Sequence, residues 1–200
     1  MKKNVLKTML ASALLISANV YAEPALMLNL PKTGAPETRI GGGTRGIGKS
    51  EISVQALAPA QTALTSQASP TLYFYISGGA NNAIEFSIAS ENSGETLTEQ
   101  NLPPVSKAGI QAVKLSDFNV QLEKGKEYRW TIAVVSDAEN RGKDVISSAT
   151  IRREDTNIAL NDTKKLAEAG IWYDLLQTLS EQKSSQIPAL LKQVDINIGK

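Results

Sequence analysis

Short apolar runs that alternate with polar residues at a period of two recur through residues 51–151, and that rhythm restricts the fold more than any other feature of the chain. Ile52, Val54 and Ala56 open it, and Pro59 closes the first run. Runs of the same kind occupy residues 71–76, 83–89, 110–115, 128–135 and 145–151, with a weaker one at 95–100. Side chains two positions apart lie on one face of a strand, so each run turns one face to a core. Gly78-Gly79, Asn81-Asn82, Asn92-Ser93-Gly94, Pro103-Pro104 and Gly125 sit between the runs as turn signals. With no helical pattern between them the strands pair antiparallel, which predicts an immunoglobulin/fibronectin-like β-sandwich of about seven strands over residues 51–154.

One stretch sharpens that expectation. Residues 122–130 lead through Gly125 into a strand whose early Tyr128 is placed to bond back to the preceding backbone, as a tyrosine corner does. Trp130, Ile132 and Val134 then share a face and are read as core, because large aromatics dominate core burial.

Beyond Arg153 the period becomes helical. Asn161 or Asp162 suits an N-cap, and Leu166, Ala169, Tyr173, Leu176 and Leu179 form a stripe at spacings of three and four, with Trp172 beside it. Gly170 falls inside this predicted helix, at a cost of about 1 kcal/mol against alanine. Pro188 suits an early helix position, and Ile187, Leu190, Leu191 and Val194 make a second stripe. The fold class expected is therefore mainly β with a C-terminal helical hairpin over residues 155–200. A lone hairpin leaves an apolar face uncovered, so it should dock on the sandwich or on a partner, with Trp172 as the anchor.

The solvent in which this fold works is read from the start of the chain. Lys2, Lys3 and Lys7 precede an apolar run at residues 9–16, and Val20-Tyr21-Ala22 fits the small-residue rule, so residues 1–22 read as a signal peptide cut after Ala22. The run falls short of the about 20 residues that span a bilayer. A periplasmic or secreted protein, not membrane-spanning, is expected. Three of the 21 basic residues lie in the leader and none of the 20 acidic ones, so the mature chain is slightly acidic and lacks a nucleic-acid footprint. Residues 23–50 form an irregular lead-in rich in proline and glycine.

The chain has no cysteine and no histidine. Thiol nucleophiles, thiolate metal sites and imidazole bases are excluded, leaving carboxylate or Ser-Lys chemistry or none. Residues 43–50, Gly-Thr-Arg-Gly-Ile-Gly-Lys-Ser, satisfy the P-loop pattern. A phosphate loop needs a buried strand before it and a helix after it, whereas residues 32–40 are polar and proline-broken and residues 51–58 alternate like a strand. A glycine-rich surface loop in which Arg45 meets a carboxylate is the better reading. Glu85, Glu91, Glu95 and Glu99 are too dispersed to define a glycosidase pair. Asp137, Glu139 and Asp144 surround Arg141 and Lys143 with no calcium-loop spacing, and read as a charged turn.

The order of several segments resembles a family of exported bacterial proteins, domain-of-unknown-function family 928. The resemblance rests on Gly42-Gly43-Thr44-Arg45-Gly46, Ala56-Leu57-Ala58-Pro59, Ser69-Pro70-Thr71 with Tyr73-Phe74-Tyr75, Ile84-Glu85-Phe86, residues 122–130, residues 141–144 with Ile151-Arg152-Arg153, and Glu168-Ala169-Gly170-Ile171-Trp172-Tyr173-Asp174. It implies an exported β-rich protein and supplies no catalytic residues. The function expected is a non-catalytic extracytoplasmic interaction module whose partner is an envelope or extracellular protein, with Arg45, Trp172 and Tyr173 as candidate contacts. No catalytic residue, metal or cofactor is assigned. The alternative is a glycan or cell-wall binding sandwich that would expose Tyr73, Tyr75 or Trp172; a nucleotide-binding enzyme using residues 43–50 is more remote.

Overall fold

The computed structural model describes residues 26–31, 52–80 and 82–198. Strands form where the alternation lies: β1 (Val54–Ala56), β3 (Thr71–Ile76), β4 (Ile84–Ser90), β5 (Thr96–Leu102), β6 (Gly109–Lys114), β7 (Glu127–Val134) and β8 (Val145–Arg153). An eighth strand, β2 (Ala63–Thr65), escaped the sequence reading because three residues carry no measurable period and all three are buried. It also runs parallel to β8, whereas the other strand pairs among the described residues run antiparallel.

The strands make two sheets, ordered β1-β3-β6 and β2-β8-β7-β4-β5. This is an immunoglobulin-like arrangement of two facing sheets. Between β1 and β2 the chain crosses from one sheet to the other. Ile84, Phe86 and Ile88 of β4 interleave with Trp130, Ile132 and Val134 of β7 and with Leu72, Phe74 and Ile76 of β3 to fill the space between the sheets. The expected tyrosine corner is present, with the Glu123 N–H donating to the Tyr128 hydroxyl at 3.1 Å.

The C-terminal region corrects the two-helix hairpin. It holds three short helices, α1 (Thr163–Glu168), α2 (Trp172–Glu181) and α3 (Ile187–Lys192). Gly170 does not lie inside a helix but ends one, at φ +69°. The apolar stripe runs on through Tyr173, yet a left-handed glycine is the ordinary way to stop a helix and redirect the chain. Asp162 caps α1, its Oδ1 accepting from the Lys165 N–H at 3.1 Å, and a proline stands in the first turn of α3 as expected.

All three helices share one continuous apolar cluster with the sandwich. α2 lies over the β2–β3 corner, so β3 is buried on both sides: Leu72, Phe74 and Ile76 face the opposite sheet while Thr71 and Tyr73 lie under the helix. Burial pushes the Tyr73 hydroxyl pKa up. No helix among the described residues is long and apolar enough to cross a membrane.

Candidate interaction surface

The two sheets are treated unequally. The three-stranded sheet is capped by α2 at β3, whereas among the described residues no helix packs on the central outer face of the five-stranded sheet. Strand register puts side chains of that face into rows, because residues directly opposite share a side. Asn101, Glu85, Ala133 and Ile146 form one row across β5, β4, β7 and β8; Glu99, Ser87, Thr131 and Ser148 form the next. The Thr131 and Ser148 hydroxyls are bonded at 2.9 Å. Ile146, which the strand period turns outward, is 41% exposed.

Three arginine–carboxylate sites frame this face. The Arg141 guanidinium forks onto Glu85, with Nη1 donating to Oε1 at 3.1 Å, and its Nε donates to Asp144; both carboxylates, Glu85 first, hold the guanidinium more firmly protonated than usual. Arg129 grips Glu91 with Nε–Oε2 2.9 Å and Nη2–Oε1 2.8 Å. Arg152 lies between Glu127 at 3.1 Å and Glu154 at 2.7 Å. In the neighbouring turn Lys143 donates to Asp137 at 3.1 Å and, with the Glu139 N–H, holds that carboxyl below the usual range. The acids of residues 137–144 that were weighed as calcium ligands thus include two, Asp137 and Asp144, engaged by cations of the same turn.

Exposed pairs of this kind contribute little stability. Their effect is on recognition: a floor of short hydroxyl and methyl groups is left between neutralised charges. The depression of about 260 Å³ bordered by Glu85, Glu99, Gln100 and Asn101 is shallow and polar. No group of three or more acidic side chains among the described residues is placed to hold a metal ion.

The residues singled out from sequence fall elsewhere. Arg45 and the P-loop-like segment lie outside the described residues. Trp172 and Tyr173 are fully buried within the chain's own core. The Trp172 Nε1–H donates to the Leu57 carbonyl at 2.9 Å, and the Tyr173 hydroxyl accepts from Trp130 Nε1 at 2.8 Å while donating to the Thr150 carbonyl at 3.1 Å. Tyr73 is buried and Tyr75 half-buried. Docking of the helices on the sandwich, with Trp172 among the anchors, is thereby observed.

Sequence reading missed a buried carboxylate beside them. Asp174, in the first turn of α2, accepts from the Thr65 hydroxyl at 2.6 Å, from the Ser66 N–H at 3.0 Å and from the Ser66 hydroxyl. Gln177 Oε1 accepts from Gln67 Nε2 at 3.0 Å and from the Thr71 N–H at 3.2 Å. An acid near a helix N-terminus is favoured by the helix dipole. Together Asp174 and Gln177 hold four residues from β2 to β3, Thr65, Ser66, Gln67 and Thr71, which makes this network a clamp between helix and sandwich. Nothing local in the sequence signals it, since the partners stand 106–110 positions apart.

An immunoglobulin-like sandwich sealed along one side by a helical layer is the class that fold and surface define. The chain belongs to the Domain of Unknown Function family DUF928, whose model matches residues 40–196. No curated protein and no solved structure matches it.

Proposed function

We infer that this is a non-catalytic, extracytoplasmic interaction module whose outer five-stranded face receives another protein of the envelope or cell exterior. The observation that supports the reading is the floor of Ser87, Thr131, Ser148 and Ile146, on which no described helix packs, set between the Arg141–Glu85 and Arg129–Glu91 pairs. Flat patches with an uncharged centre and a polar, charged rim suit protein partners, and paired rim charges set orientation more than affinity. The leader at residues 1–22 supports export, with the mature chain starting at Glu23. A sugar-stacking role has less to stand on, because Tyr73 and Trp172 are covered by the chain itself.

The test is site-specific photocrosslinking in the native envelope, with the reactive side chain at Ser148 or Thr131 and, as a control, at Lys107 off this face. The expected result is one shared product from both face positions that is absent from the control. Products that are the same from all three positions, or none from the face, would overturn the reading.

A further inference from the structure

Residues 26–31 run extended across the helical layer, and their manner of binding is that of a ligand rather than of a core element. The Asn29 N–H donates to the Ala167 carbonyl at the end of α1 at 2.9 Å. Gln193, just past α3, reads the same segment with its amide: Oε1 accepts from the Leu28 N–H at 3.0 Å and Nε2 donates to the Leu26 carbonyl at 2.8 Å. Leu26, Leu28 and Leu30 lean on the core and are only half-buried, while Met27 between them is 76% exposed. Gly170 makes the approach possible, since a Cβ there would stand 2.4 Å from the Asn29 oxygen and 2.6 Å from Pro31 Cδ.

Main-chain hydrogen bonds for grip, and apolar seats for alternate side chains, are how proteins read extended peptides. Among the described residues the segment pairs with no strand and its main chain makes three hydrogen bonds, one to the Ala167 carbonyl and two to the Gln193 side chain, which puts it among the parts of a fold that open first. We propose that the cleft between the α1–α2 corner and α3 is a peptide-reading site, held in this structure by the chain's own residues 26–31 and open to a partner's extended segment with leucine-like residues at alternate positions. The chain's own segment then acts as a competitor. A partner's apparent affinity is reduced in proportion to the fraction of molecules whose cleft is free.

The probe is an acetylated, amidated peptide copying residues 26–31, titrated by NMR into the whole chain with the Gly170 amide and the Gln193 side-chain amide as reporters. Two variants loosen the resident segment and leave the cleft walls intact: Leu28→Asp with Leu30→Asp, and the milder Asn29→Pro, which removes one donor. Saturable shifts at both reporters are expected in the variants at peptide concentrations on the order of tenfold below those the parent chain needs. Adding Gln193→Ala to a variant should abolish the saturable shift at the Gly170 amide. Folded variants without saturable shifts, or variants and parent with equal affinity, would overturn the proposal. So would unfolding of both variants, because the segment would then be core and not an exchangeable occupant.

Discussion

The indole nitrogen of Trp130 in β7 donates to the hydroxyl of Tyr173 in α2 at 2.8 Å, and that hydroxyl in turn donates a hydrogen bond to the Thr150 carbonyl of β8 at 3.1 Å. Two buried aromatics thereby fasten the helical layer to the sheet, and each polar atom introduced by burial has its partner.

Tyr173→Phe keeps the ring and strands the Trp130 N–H, so it is expected to lower unfolding free energy by about 1–3 kcal/mol. Trp130→Ala should lower it by about 3–5 kcal/mol. Because the two residues share a bond, a double-mutant cycle from urea melts should return a non-additive remainder; strict additivity would deny the coupling.

Asp174→Ala removes the acceptor for Thr65 and Ser66 at once, and a loss of about 1–3 kcal/mol is expected, since buried donors are left without an acceptor. The decisive readout is local. Amide exchange at Ser66 and through α2 should speed up more than exchange in β4 and β7, and uniform acceleration would argue against a clamp.

Gly170→Ala forces a side chain into a left-handed backbone and against the Asn29 carbonyl. It should be destabilising, whereas Gly78→Ala, whose added carbon meets nothing within 4 Å, should be close to neutral. Melting temperatures of the two variants give the comparison, and equal shifts would contradict the close approach of residues 26–31.

Acid should weaken two surface turns. Lys165 chiefly by its side chain, and then by its backbone N–H, holds the Asp162 carboxyl below the usual range, as Lys143 does for Asp137. A depressed carboxylate stabilises the fold above the unfolded value of about 4 and loses that contribution as pH falls through the lower folded value. Stability should therefore decline below about pH 4, and less steeply in Asp162→Asn, whose cap oxygen survives without a proton to gain. Urea melts from about pH 2 to pH 7 at low salt measure the difference, which added salt should shrink.

Ile146→Ser on the open sheet face should change stability by no more than about 0.5 kcal/mol, as surface substitutions do. The same change should weaken crosslinking from Ser148 if that face meets a partner. A large loss of stability would instead mean that Ile146 is covered within the chain.

Much of this was legible in the order of residues. A period of two places β4, β7 and β8 without reference to anything distant, since alternation is enough to sort Ile84, Phe86 and Ile88 from Glu85 and Ser87. The tyrosine corner, the Asp162 cap and the proline of α3 are local in the same sense, each closing a contact within a few residues. What the alternation could not say is which outward face would stay open. That follows from where α2 comes to rest, and α2 rests where Asp174 finds Thr65 and Ser66 more than a hundred positions away.

By itself, then, the amino-acid order determined a β-sandwich followed by helices, the inward face of nearly every strand, and the burial of Trp130. Tertiary structure alone decided that residues 63–65 become a strand, because their partner is the distant β8. It also ended the first helix at Gly170, where residues 26–31 pass too close for any side chain. Trp172 and Tyr173 went to the interior for the same kind of reason: a helical stripe records only that a face is apolar, and what covers it is settled by chain packing across the whole fold.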